Sequence, residues 1–134
     1  MIQASKPTSQ KVNMETEQRT MEAGNAGLKG TTSFLVRSGV PGGQTTGGPR
    51  SIEFAIAPIE GHQPIYHKAI FVKSDPQGNY AVVLPPGTYW IGPKAKALDP
   101  GHDRPRATVL SEQTVVVREG IFTQLDLVEE GYAP

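Results

Sequence analysis

No cysteine occurs among the 134 residues. That excludes disulfides, thiolate nucleophiles and cysteine-held metals together, but it leaves the compartment open, because bacterial periplasmic and surface domains fold without disulfides. Net charge is absent as well: 13 Lys and Arg balance 13 Asp and Glu. No whole-protein field draws nucleic acid or an anionic membrane, and a nucleic-acid partner is not expected. No apolar run approaches the length that crosses a bilayer, and the first 25 residues hold no signal-like apolar core. If the protein is exported, the expectation is a mature form behind a new Met1, with a membrane tether upstream.

What is present is turn chemistry. The 15 glycines and 12 prolines follow no three-residue period, so they read as turns and loops rather than collagen. A hydrophobic content of 37% suits one domain with a β-sandwich core and long polar loops. Residues 1–29 carry Ser, Thr, Gln, Lys and Glu with few large apolar side chains, which predicts a flexible leader. A short amphipathic helix over Val12–Ala23 is the alternative. The folded domain is expected over 30–130, with a tail at 131–134.

Strand signals recur from Thr31 onward. Thr31–Arg37 is the first strand, followed by a loop, Val40–Pro49, whose glycines and prolines exclude an interior strand. Ile52–Ala57 alternates with Ile52, Phe54 and Ile56 on one face. Pro64–Ser74 carries bulk on both faces and reads as a third strand, and Asp75-Pro-Gln-Gly-Asn79 supplies a turn in which Asp75 accepts backbone amides. Tyr80, Val82 and Leu84 share one face, as do Tyr89 and Ile91. Between them Pro85-Pro86-Gly87-Thr88 predicts a tight hairpin turn, with Gly87 at positive φ. Thr114–Arg118 and Ile121–Val128 close the chain as a second hairpin around Glu119-Gly120. Seven strands result, without the helical intervals of parallel βαβ units, and a two-sheet sandwich is predicted.

The run Asp75-Pro-Gln-Gly-Asn-Tyr-Ala-Val-Val-Leu-Pro-Pro-Gly-Thr-Tyr-Trp-Ile91, with Thr114-Val-Val-Val-Arg-Glu-Gly-Ile-Phe-Thr-Gln-Leu-Asp-Leu127, resembles the bacterial carboxypeptidase regulatory-like domains of the transthyretin-like superfamily. The resemblance spans most of 31–128, and its strongest motifs cover about a quarter of the chain. It implies an all-β, seven-stranded antiparallel Greek-key sandwich of prealbumin-like type. It also implies a non-catalytic accessory domain, for protein–protein interaction or structural support in the bacterial envelope, at the periplasm, cell surface or outside the cell. The Gly-rich loop 39–49 and the insert 93–113 depart from the family pattern. Hydroxyisourate hydrolases share the sandwich, but their C-terminal Tyr-Arg-Gly-Ser signature is missing from Glu130-Gly-Tyr-Ala-Pro134. A divergent hydrolase of that type is therefore the third reading.

Candidate chemistry is sparse. His62, His67 and His102 are the only imidazoles. With Asp99 or Asp103 they offer zinc ligands, but their spacing favours ordinary surface histidines. Asp99-Pro-Gly-His-Asp103 lacks the spacing of a calcium loop, and Ser111-Glu112 has neither a base nor a nucleophile elbow. No catalytic residue, metal or cofactor is assigned. The interaction surface is expected at Trp90, Lys94, Lys96, Arg104, Arg106 and Phe122. With Tyr89 and Ile91 inward, Trp90 points outward, and with Ile121 and Leu125 inward so does Phe122. That pair predicts a platform for a protein or, as the second reading, a glycan. The competing reading folds 93–113 back over Trp90 as a satellite core.

Overall fold

The computed structural model describes residues 25–38, 42, 45–101 and 108–133. Residues 1–24 of the predicted leader over 1–29, with the alternative helix over Val12–Ala23, lie outside the described residues. The chain is all-β with two sheets stacked as a sandwich. Its strands are β1 (Gly27–Ser38), β2 (Thr45–Pro49), β3 (Glu53–Glu60), β4 (Gln63–Pro64), β5 (Ile70–Lys73), β6 (Asn79–Val83), β7 (Gly87–Pro93), β8 (Thr108–Leu110), β9 (Gln113–Val117), β10 (Phe122–Gln124) and β11 (Leu127–Ala133). Among the described residues a short helix, α1 (Lys94–Leu98), and a 3₁₀ turn at Tyr66–Lys68 interrupt them.

β1 organises the first sheet. On one side it pairs antiparallel with β6 and then β2, and on the other it runs parallel to β10 and then β11 in one continuous register. β8 lies beyond β11. At the β10–β11 junction the ladder is interrupted, and the Asp126 carboxylate takes over from the backbone: Oδ1 accepts Thr31 N–H at 2.9 Å and the Thr31 hydroxyl at 3.1 Å. The second sheet is antiparallel. β4 and β5 flank β3 on one side, β7 on the other, and β9 lies beyond β7. β3 and β4 are joined by Gly61 and His62, both at positive φ (60° and 69°), which suits a two-residue turn matched to strand twist.

Alternation fills the space between the sheets. Leu28, Val82, Leu84, Leu110 and Leu127 from the first sheet meet Phe54, Ile56, Val72, Ile91 and Val117 from the second. Each such side chain contributes about 1.5–3 kcal/mol when fully buried. Tyr80 packs edge-on against Phe54 with centroids 5.1 Å apart and donates its hydroxyl to the Leu125 carbonyl. Burial, then the nearby Asp126 charge, pushes the Tyr80 hydroxyl far above the usual phenol range. At one end the buried hydroxyls of Thr32 and Ser74 bond each other at 2.5 Å. Thr32 also donates to the Arg50 carbonyl, and Ser74 Oγ accepts Ile52 N–H at 2.8 Å. This polar knot ties β1 to the segments entering β3 and leaving β5.

Several expectations need correction. The segments around Pro85-Pro86-Gly87 do not pair with each other. β6 bonds to β1 and β7 bonds to β3 and β9, so the turn is an arch between sheets. Tyr80, Val82, Leu84, Tyr89 and Ile91 face one core from opposite sides of it, a pattern that alternation alone cannot distinguish from a hairpin. Gly87 has φ +159°, close to extended backbone rather than the value of a type II turn. Likewise β9 and β10 belong to different sheets, and Glu119-Gly120 carries the chain across. The third predicted strand, Pro64–Ser74, is divided into β4, the 3₁₀ turn and β5, because Tyr66 and Ala69 leave the ladder to pack on the outer cluster containing Trp90. Thr45–Pro49, predicted as loop, forms an edge strand, where glycines and a terminal proline are tolerated. β1 begins at Gly27, within the predicted leader, with Leu28 fully buried, and β11 continues into the predicted tail.

Candidate functional site

The outer face of the second sheet is built around Trp90. Its side chain points away from the core that holds Tyr89 and Ile91, as alternation predicts, yet it is only 4% exposed. Gly92, two residues on and on the same face, has no side chain, so the indole lies across it. A Cβ there would come within 2.4 Å of Trp90 Cζ2. Ala55 and Ala57 of β3 give the ring a flat bed, Ala97 of α1 joins the same cluster, and Tyr66 meets it edge-on at 5.1 Å. The indole N–H donates to Glu112 Oε1 at 2.9 Å, while Lys96 of α1 donates to Oε2 at 2.9 Å. Partial burial pulls the Glu112 carboxyl up, but the bonds from Lys96 and Trp90 and the Lys96 charge outweigh it and hold the group below the usual carboxylate range. Residues 94–98 of the insert therefore cover Trp90, and the exposed aromatic platform is not present.

The other predicted interaction residues are scattered. Phe122 is half-buried in β10 of the first sheet, away from the sheet that carries Trp90. Lys94 bonds Glu53 at 3.1 Å and lies 5.3 Å from the Phe71 ring centroid. Arg104 and Arg106 lie outside the described residues, as do His102 and Asp103. Pro85, Pro86 and Gly87 are exposed in the arch, where the Pro85 carbonyl accepts the Tyr89 hydroxyl at 2.6 Å. His62 and His67 are exposed, and no three His, Asp or Glu side chains cluster as metal ligands among the described residues. Asp75 does what the turn reading predicts: Oδ1 accepts Gln77 and Asn79 N–H at 2.9 and 2.8 Å.

A second location was not foreseen. The outer face of the first sheet carries exposed Lys29, Thr31, Arg37, Asp126 and Val128, and no described helix packs on it. A groove of about 460 Å³ runs over β1 between β2 and β11, lined by Thr31, Ser33, Leu35, Gly47, Pro49 and Val128. Register explains it. Ser33 sits between Pro49 and Val128, and Leu35 sits between Gly47 and Glu130. Gly47 adds no side chain beside Leu35, whose Cδ1 lies 3.2 Å from where a Cβ would stand. Arg37 and Glu130, 3.7 Å apart across the strands, bound one end. The result has an apolar floor, hydroxyls at its side and an ion pair at its rim, a composition suited to recognition. These residues are remote in sequence, so no linear motif announces them. Glu112 did carry a signal: a lone buried tryptophan requires an acceptor for its N–H.

Comparison with protein-family models, with curated proteins and with solved structures finds no match to this chain. No helix among the described residues is long and apolar enough to cross a membrane.

Proposed function

We propose that this chain is a non-catalytic accessory domain of transthyretin-like type that acts by binding another protein in the bacterial envelope. The observation that carries the reading is the groove over β1 on the outer face of the first sheet, on which no helix among the described residues packs. The other sheet covers its outer cluster with α1 and the 3₁₀ turn. A rigid two-sheet core beneath it suits recognition by a preformed surface. The glycan reading drew its support from an exposed Trp90, and burial of that ring removes it. The hydrolase reading has no motif residue to carry it. The interaction surface consequently moves from the insert to Ser33, Leu35 and Val128.

The test compares capture from an envelope extract by wild-type domain, by Val128→Lys and by a Lys94→Ala/Lys96→Ala variant, each confirmed folded by circular dichroism. A specific partner retained by the Lys94→Ala/Lys96→Ala variant, with affinity reduced at least about tenfold by Val128→Lys, is the expected result. Equal affinity of that partner for Val128→Lys overturns the groove assignment. Absence of any specific partner favours structural support over recognition.

A further inference from the structure

We propose that β9 is where a second copy of this chain pairs, strand to strand and antiparallel, about a two-fold axis at Val115. β9 ends the second sheet, with β7 bonded along one side and no strand among the described residues paired along the other. The Val116 carbonyl accepts Thr123 Oγ1 from the first sheet at 3.3 Å. That contact turns the carbonyl away from β7, and alternation turns the backbone groups of Thr114 the same way. Pairing with a second strand replaces this single long bond with a ladder.

Three other edges are blunted in ways that proteins use to prevent such pairing. β2 has two glycines and ends in Pro49. β5 ends in Lys73 and follows a 3₁₀ turn carrying Lys68, and β8 has three residues among those described. β9 reads Gln-Thr-Val-Val-Val, with no charge, glycine or proline; the edge strand β6, Asn-Tyr-Ala-Val-Val, shares that, but of the two only β9 has opposite charges just beyond its ends. Thr114 is exposed, and Val116 is 45% exposed.

Charge decides in favour of a second copy and sets the register. Glu112, whose two carboxylate oxygens also accept the Trp90 N–H and Lys96, and Arg118 flank β9, both exposed, and both fall on the outward face with Thr114 and Val116 by strand alternation. Antiparallel self-pairing about Val115 places Thr114 opposite Val116 of the second copy and Glu112 opposite its Arg118, once at each end. Registers centred on Thr114 or Val116 lose both charge pairs. Opposite charges facing across an antiparallel pair stabilise it, and like charges oppose it. The interface is self-complementary, as a two-fold dimer requires.

Sedimentation of the purified chain from about 10 µM to about 1 mM covers the range expected for a small, edge-only interface. The weight-average mass is expected to rise toward that of two chains. Amide hydrogen exchange of Thr114 and Val116 is expected to slow over the same concentrations. Arg118→Glu, which sets like charges opposite each other, and Val116→Lys are each expected to raise the dissociation constant at least about tenfold while the monomer stays folded. A monomer at every concentration overturns the proposal. So does a dimer whose concentration-dependent protection falls on strands other than β9; this reading of wild-type protein stands independently of how the variants fold.

Discussion

Replacing Gly92 by alanine sets a methyl group against the ring that the outer face of the second sheet is built to hold. The new Cβ would stand 2.4 Å from Trp90 Cζ2 and 2.8 Å from Cη2, well inside contact distance. The indole has little room to retreat. Tyr66 closes one side, Ala97 lies in the same cluster, and the bond to Glu112 at 2.9 Å fixes the ring's polar edge. Overpacking of this kind costs about 1–3 kcal/mol. Displacing the ring also weakens a hydrogen bond to a charged acceptor, a contribution of similar size. A net loss of about 2 kcal/mol corresponds to a fall in Tm of roughly 10 °C for a domain of this size. Thermal unfolding followed by circular dichroism measures the loss. Because Trp90 is the sole tryptophan, its emission reports the same event as a red shift when the ring moves toward water. Gly101→Ala is the control, since nothing stands within 4 Å of a Cβ there. If Gly92→Ala unfolds within about 2 °C of wild type with unchanged emission, the tight seating of Trp90 on Gly92 is refuted.

Thr32→Val removes the hydroxyl that joins the Arg50 carbonyl and Ser74 Oγ inside the core, and the expected loss, read by urea unfolding, is about 1–3 kcal/mol; an unchanged midpoint refutes the knot's role. The Asp126 carboxyl is held below its usual range by the Thr31 backbone N–H and then the Gln124 side chain, and Glu112 is held low as well. Their folded pKa values lie below the unfolded ones, so their contributions are present above the unfolded values, near pH 4, and disappear as pH falls through the folded ones. Asp126→Asn is expected to flatten the acid side of the stability–pH curve, and an identical slope counts against the Asp126 bridge. Tyr80 shows the opposite sign. Its folded pKa is raised, so its contribution is complete below the unfolded value near pH 10 and declines as pH rises through the folded one. Tyr80→Phe is expected to cost about 1 kcal/mol at neutral pH and to weaken that alkaline decline; equal alkaline behaviour of the two proteins refutes it.

Local pattern carried much of this architecture. Period-two alternation at Phe54 and Ile56, at Tyr80, Val82 and Leu84, and at Tyr89 and Ile91 placed these side chains in the core, because a strand has two faces and a sandwich buries one of them. The same rule set Trp90 on the opposite face, and Asp75 was recognisable as a turn acceptor from its neighbours alone. Strand pairing was not local. Two strands joined by Pro85-Pro86-Gly87 have the same inward pattern whether they bond to each other or face each other across the core, and the choice depends on β1, β3 and β9 competing for their edges. The state of Trp90 was likewise undecided in its own segment. Whether an outward ring meets water depends on Tyr66, Ala97 and Glu112 arriving from other parts of the chain. The groove over β1 is the extreme case: Leu35 and Gly47 become neighbours only through register, and Val128 joins them through a parallel strand from the far end of the chain. Side-chain direction is a property of a few successive residues, and the sequence alone determined it. Edges, covers and grooves are made by residues distant in the chain, so only the tertiary structure decided them.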